Sequence, residues 1–316
     1  MSFSYAGLQL HSPAVLAPMS GISTLPFRLL CKELGASLTY TEFASAIAIA
    51  RNMSGNASNN KVFNRIETVK EEHPVGVQLF APEEKDLITA IEFVERDFDI
   101  IDINFGCPSP KMAGGGCGAY LLKRPEKIVS LVKAAVSVST KPVTCKLRMG
   151  WDVPVLHTFV KKIENAGVKG IALHARTAKQ GYSGKSDWEY IKKIKSMLSI
   201  PLIGNGDIHS AEEVLEKIEE NYCDLVMIGR AAWHDPNIFS EVGGKKSLPR
   251  LELLTRYFEL CEHYPVTDLT DIRTQVVGML SGMKRAKITR VRVMKALDLN
   301  GIKDVTLEAL CNPQGE

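Results

Sequence analysis

The chain has 316 residues, 45% of them hydrophobic and 24% charged, with a formal net charge of only +3. That length accommodates one large domain and a small one, and the composition is that of an ordinary soluble globular protein. No apolar run approaches the length that crosses a bilayer, and the start, Met-Ser-Phe-Ser-Tyr-Ala-Gly, lacks the basic-then-apolar pattern of a signal peptide. The seven cysteines (Cys31, Cys107, Cys117, Cys145, Cys223, Cys261 and Cys311) are scattered without a Cys-x-x-Cys pair. Such a set suits a reducing cytosol and argues against a disulfide framework or a metal site, so the expectation is a cytoplasmic protein with no membrane contact and no metal.

In chain order, Phe3–Leu10 reads as a hairpin around Ala6-Gly7, placed to cap the bottom of a barrel. Eight β-rich runs come next: Ala14–Met19, Leu38–Phe43, Pro74–Phe80, Ile100–Phe105, Pro142–Arg148, Gly170–Arg176, Pro201–Asp207 and Leu225–Arg230. Helical patterns separate them, among them Pro82–Glu95, Pro125–Val138, Pro154–Ala166 and Ala211–Glu220, the last opened by the capping box Ser210-Ala-Glu-Glu213. Eight strands alternating with helices predict a closed (β/α)8 TIM barrel. A doubly wound open sheet is the alternative, although no Gly-x-Gly-x-x-Gly first turn is present.

The pattern changes after Phe239. Gly243-Gly244-Lys245-Lys246-Ser247-Leu248-Pro249 reads as a linker. Helical runs Leu251–His263, Ile272–Lys284, Thr289–Leu297 and Thr306–Leu310 come after it. Residues 1–243 are therefore expected to form the barrel and 247–316 a small helical bundle. From Ile272 to Leu297 lie Arg273, Lys284, Arg285, Lys287, Arg290, Arg292 and Lys295, with no Asp or Glu. A near-neutral chain with one such stretch suggests a local polyanion contact, the alternative being a solvated helix face.

The segment Ile101-Asp-Ile-Asn-Phe-Gly-Cys-Pro-Ser-Pro110 carries the strongest chemical signal. A strand ends at Asn104, and Cys107 sits between a glycine that turns the chain and a proline that stops it. Gly114, Gly115, Gly116 and Gly118 predict a mobile loop after it. A free thiol is mostly protonated at neutral pH, so one exposed here can donate a proton. A buried, inert cysteine is the commoner fate of a free thiol.

Chemistry in a (β/α)8 barrel sits where its strands end. There the runs present Pro18-Met19-Ser20, Gln78, Asn104, Lys146 with Arg148, His174 with Arg176, Asn205-Gly206-Asp207, and Gly229-Arg230. The last two groups occupy the phosphate position expected after strands seven and eight, and Arg230 adds a fork that matches phosphate oxygens. Lys146 and Gln78 would face the body of the phosphate-bearing ligand. A reduced flavin is one ring system that gives a buried lysine a partner.

Ala-Pro-Met (17–19), Thr-Glu-Phe (41–43), Gly-Val-Gln-Leu (76–79), Ile-Asn-Phe-Gly-Cys-Pro (103–108), Lys-Leu-Arg-Met-Gly-Trp (146–151), His-Ala-Arg-Thr (174–177), Gly-Asn-Gly-Asp (204–207) and Ile-Gly-Arg (228–230) occur in that order. This series resembles the tRNA-dihydrouridine synthases, flavoenzymes with an FMN-binding barrel followed by a small helical RNA-binding domain. The resemblance implies reduction of the C5–C6 double bond of selected tRNA uridines, with NADPH (or NADH) as transient reductant. Hydride would pass from the flavin N5 to C6, and Cys107 would protonate C5 as a general acid. It further implies that Pro18, Met19, Ser20, Gln78, Lys146 and His174 meet the isoalloxazine, and that Asn205, Gly206, Asp207, Gly229 and Arg230 hold the phosphate. Asn104, Arg148 and Arg176 would orient the uridine and its phosphates. The family also implies a monomer. Around Arg273-Thr-Gln-Val-Val-Gly-Met the chain departs from the Lys-His-like element of bacterial members, so the modified position is not assigned.

Three other readings compete. A dehydrogenase of free pyrimidines, of dihydroorotate or dihydropyrimidine type, would share the flavin and a cysteine loop but needs no basic helical tail. An RNA-binding protein with a vestigial barrel has no need of Lys146 or Cys107. A phosphosugar isomerase or aldolase leaves Gln78 and the cysteine loop unexplained. Cys117 is read as a bystander.

Overall fold

A computed structural model describes residues 2–53, 61–283 and 286–311. Eight parallel strands form the barrel: β1 (Ala14–Leu16), β2 (Thr39–Tyr40), β3 (Val75–Phe80), β4 (Ile100–Phe105), β5 (Val143–Arg148), β6 (Gly170–His174), β7 (Leu202–Asn205) and β8 (Leu225–Ile228). Neighbours pair in sequence order from β2 to β8, and β8 pairs with β1. A parallel bridge between Val15 and Leu38, with Leu16 N–H donating to Leu38 O at 3.0 Å, closes the ring. Each predicted run contains its strand, but the last residues of most runs leave the sheet and become rim loops. The loss is largest in the second run, where only two residues stay in the strand.

Helices cover the barrel. Leu25–Leu34 follows β1, with Pro26 in its first turn and Gly35 at φ 114° closing its end. Glu84–Val94, Pro125–Val138 and Ala211–Glu219 follow β3, β4 and β7 near their predicted limits. Ser210 Oγ accepts the N–H of Glu213 as a capping box requires, while the Glu213 carboxylate takes the N–H of His209. The predicted helix Pro154–Ala166 begins late, at Val160, after a short 3-10 turn.

The interior packs apolar side chains from alternate strand positions, including Val15, Leu38, Tyr40, Ile100, Ala172, Ile203 and Leu225. The hairpin (Phe3–Tyr5 and Leu8–Leu10) supplies Tyr5 and Leu10 to this cluster and so plugs the bottom. Its turn needs left-handed backbone at Ala6 (φ 52°) and Gly7 (φ 85°). Tyr5 fits because Gly170 has no side chain: a Cβ there would come within 2.5 Å of the Tyr5 ring.

Beyond the barrel lie four helices, Arg250–His263, Leu269–Met279, Ala286–Lys295 and Leu299–Cys311. The first packs on Leu25–Leu34 through Leu254, Tyr257 and Phe258, and Arg256 bridges to Glu33 at 2.7 Å. The second starts earlier than its pattern suggests, because Asp268 caps it by accepting the N–H of Thr270. Among the described residues, no helix is long and apolar enough to cross a membrane.

Candidate active site

At the C-terminal ends of the strands lies a cavity of about 630 Å³. Its lining holds Pro18, Met19, Ser20, Gln78, Asn104, Cys107, Lys146, Arg148, His174, Asn205, Gly206, Asp207, Gly229 and Arg230. Strand register explains the convergence. Gln78 lies beside Asp102, Asn104 beside Lys146, Arg148 beside His174, and His174 beside Asn205. Parallel neighbours in register share a face, so these side chains turn inward together.

Cys107 is half-buried, where the chain leaves β4. Asn104 holds the turn: its Oδ1 accepts the backbone N–H of Gly106 at 3.1 Å and of Cys107 at 2.9 Å. The glycine-rich segment beyond has regular structure, a short helix Pro110–Gly114 and a 3-10 stretch Gly118–Lys123. It folds back so that Ala119 N–H donates to Cys107 O at 3.0 Å. Gly118 (φ 60°) allows this approach, since a Cβ there would sit 2.6 Å from that carbonyl oxygen. Cys117 is buried and donates to Gly115 O, and burial pushes its thiol up to about 11. It is a structural thiol.

Lys146 donates to Asn205 Oδ1 at 3.2 Å, a neutral partner. Burial, and then the neighbouring Arg148, lower its ammonium to about 8, while Asp102 and Cys107 act in the other direction. Burial followed by the charges of Lys146, Arg148, Arg176 and Arg230 drives His174 far below its ordinary range, so its imidazole is neutral at physiological pH. It can accept or donate a hydrogen bond there but does not serve as a cationic acid.

Arg148 lines the cavity, but Nε donates to Gly106 O and Nη1 to Thr177 O and Gly181 O. It ties the cysteine loop to the loop after β6. Arg176 corrects the sequence expectation more strongly. It is 1% exposed and does not line the cavity. Its guanidinium holds Asp207, Ser186 Oγ and the carbonyls of Ser183 and Gly184. A guanidinium so fully committed braces the loop after β7 and has no donor left to aim at a substrate.

Sequence reasoning missed Phe43, Tyr182 and Trp233, which also line the cavity. Tyr182 is 64% exposed, and its ring lies 5.0 Å from the Arg230 guanidinium and 5.8 Å from that of Arg148. An aromatic between two cations at a cavity mouth offers a stacking face to a planar ligand. The available signal was an aromatic in the Gly181-Tyr-Ser-Gly184 turn, one loop after β6. Buried Asp102, at an inward position of β4, was missed as well.

The dihydrouridine synthase family model matches residues 15–303. The chain belongs to the dihydrouridine synthase family. A probable tRNA-dihydrouridine synthase of Aquifex aeolicus is 34% identical over 89% of this chain and 91% of its own length. The similar protein of Rickettsia bellii is 31% identical over 95% of both. A tRNA-dihydrouridine synthase B of Xanthomonas axonopodis pv. citri is 36% identical over 72% of this chain and 68% of its own. Among solved structures, histamine dehydrogenase from Rhizobium sp. 4-9 superposes with TM-score 0.57 at 13% identity, covering 82% of this chain and 50% of that one, which shows a shared fold.

Proposed function

We propose that this chain is an FMN-dependent tRNA-dihydrouridine synthase that reduces the C5–C6 double bond of specific tRNA uridines, with NADPH as reductant, acting in the cytoplasm as a monomer. The observation that carries the reading is that Cys107, just past the end of β4, and Lys146, in register with Asn104 on β5, line the same cavity.

The residues fit the cofactor. Lys146 is a poorly solvated cation with one neutral partner, suited to the electron-rich edge of an isoalloxazine. Gln78 lines the same cavity with an amide, and His174 with a neutral imidazole. Asn205, Gly206 and Asp207, with Gly229 and Arg230, form the corner for the ribityl phosphate. Pro18, Met19 and Ser20, where the chain leaves the neighbouring strand β1, line the wall beside that corner. When bound, reduced FMN supplies hydride to C6 of the uracil.

Asn104 positions the turn from which the Cys107 thiol gives its proton to C5. Tyr182 and Arg148 receive the base and its neighbours at the mouth. The target uridine must leave its stack to enter, which suits loop positions. Residues 247–316 form the RNA-binding part, with Lys287, Arg292 and Lys295 exposed on one helix. Lys284 and Arg285 of the basic stretch lie outside the described residues. Arg273 is spent within the bundle, donating to Ala296 O.

Incubation of purified, yellow, FMN-loaded protein with unmodified tRNA and NADPH, followed by mapping of dihydrouridine, tests the reading. Turnover of free uracil without tRNA reduction overturns it in favour of a free-pyrimidine dehydrogenase.

A further inference from the structure

Beneath the cavity, outside its lining, the barrel buries a carboxylate. Asp102 is 2% exposed and lies on β4 two residues before Asn104, so both point inward. Its Oδ1 accepts from Thr144 Oγ1 at 2.6 Å and its Oδ2 from Gln78 Nε2 at 2.7 Å. Gln78 Oε1 in turn accepts from Asn104 Nδ2 at 2.7 Å. The remaining Asn104 oxygen accepts the Gly106 and Cys107 N–H groups.

This chain of hydrogen bonds has a direction. An ionised carboxylate only accepts, whereas an amide side chain has one donating and one accepting end. With Asp102 as acceptor, Gln78 must turn its amino group down and its oxygen up. Asn104 must then turn its amino group to Gln78, which leaves its oxygen for the cysteine turn. Reversing either amide sets donor against donor or acceptor against acceptor in a buried place, where such mismatches are costly.

We propose that Asp102 is the positioning residue of the cysteine loop: as a buried acceptor it fixes the sense of the Gln78 and Asn104 amides and thereby anchors Cys107 at the cavity. Burial raises the Asp102 carboxyl, the hydrogen bonds from Thr144 and Gln78 and the nearby Lys146 cation offset part of that rise, and the net value of about 6 leaves it ionised at neutral pH. The same amide orientation sets which atoms Gln78 offers to the cavity above it.

The test compares Asp102→Asn, Gln78→Glu and the double variant in FMN-loaded protein, by backbone amide hydrogen exchange at Gly106 and Cys107. The Asp102→Asn side chain is no longer acceptor-only: it can turn its amino group to Gln78, or to Thr144 with that hydroxyl reversed, so nothing holds the hydrogen-bond chain to one direction. Exchange at both amides should rise by about tenfold or more, while amides of β6 stay protected. Gln78→Glu restores an acceptor between two donors, the new amide at position 102 and Asn104. The double variant should therefore return to within about threefold of the parent. Unchanged exchange in Asp102→Asn, or a double variant as fast as that single one, overturns the proposal. If Asp102→Asn melts too low to measure, the double variant should recover the melting temperature, and failure to do so overturns the proposal equally.

This deepens the reading of the same site but is separable from it. The exchange result holds whichever substrate is reduced, and absent tRNA reduction in the parent protein would sink the proposed function alone.

Discussion

Arg176 grips Asp207 with two parallel hydrogen bonds, Nη1 to Oδ1 at 2.9 Å and Nη2 to Oδ2 at 2.7 Å. The fork fixes the loop after β7 while Asp207 holds a left-handed backbone at φ 49°. Removing the guanidinium leaves Asp207 with Arg230 and the Ser186 N–H as partners. Arg176→Ala should cost about 3 kcal/mol of stability, and Arg176→Lys should restore little because an ammonium lacks the fork. Thermal melts and fluorescence titration of apoprotein with FMN check this, with a flavin affinity weaker by about tenfold or more expected. A melt unchanged from the parent would contradict the bracing role.

The same pair sets an acid limit. Burial raises the Asp207 carboxyl, but the Arg176 and Ser186 hydrogen bonds outweigh it and hold the group below its ordinary range. A carboxyl lowered on folding contributes stability that is present above its unfolded pKa and lost as pH falls through the folded one. Acid unfolding should therefore begin at higher pH in Arg176→Ala, as circular dichroism against pH would show.

Cys107→Ala removes the proposed proton donor without touching the wall around the ring. Flavin content and NADPH oxidation by an artificial acceptor should persist, while tRNA uridine reduction falls by a factor of about 10²–10⁴. Cys117→Ala should lose stability and not chemistry, because its thiol is buried and bonded to Gly115 O. Normal tRNA reduction in Cys107→Ala would remove the acid role.

With Lys146 against the flavin, as proposed above, the potential of bound FMN should depend on pH. Its folded pKa is lowered from 10.5 to about 8, so the buried cation costs stability below about 8, and that cost is relieved as pH rises from there toward 10.5. Negative charge on a reduced ring recruits the proton back to Lys146. Above the Lys146 pKa the midpoint potential of bound FMN should fall more steeply, by about 30 mV per pH unit extra for a two-electron couple. Spectroelectrochemistry of Lys146→Met should show no such break.

Lys287 and Lys295 are exposed on helix Ala286–Lys295, whose outer face also shows Ile288, Val291 and Met294 to solvent. If they meet the RNA backbone, Lys287→Glu with Lys295→Glu should weaken tRNA binding and reduce the salt slope of the affinity by about 2. NADPH oxidation with an artificial acceptor should not change. Filter binding across a salt series separates these outcomes.

The barrel was legible because each of its strands is a compact apolar run bounded by turn residues, and the rim because polar residues end those runs. What could not be read was which rim groups spend their bonds on the protein. Arg148 and Arg176 have the same residue type and analogous positions, yet only Arg148 reaches the cavity. That depends on where the Gly181–Gly184 turn puts its carbonyls, a long-range outcome of loop packing. Asp102 was hidden by its surroundings, Ile100-Ile-Asp-Ile-Asn-Phe105, read as one β-rich run in which only the polar residue at the strand end was taken as a rim group. Strict alternation would have paired it with Asn104 on the inner face. Arg273 was counted among the surface cations, but its donation to Ala296 O ties it to the neighbouring helix.

The fit of Tyr5 beneath Gly170 leaves a trace that can be sought across species. A methyl group at 170 and an aromatic ring at 5 exclude each other, since the added carbon would stand 2.5 Å from the ring. Relatives that keep the hairpin should retain glycine at the start of the sixth strand, and those that put a larger residue there should have lost or shrunk the aromatic. The two positions, 165 residues apart in the chain, should covary as a pair and mark which lineages inherited the plugged floor.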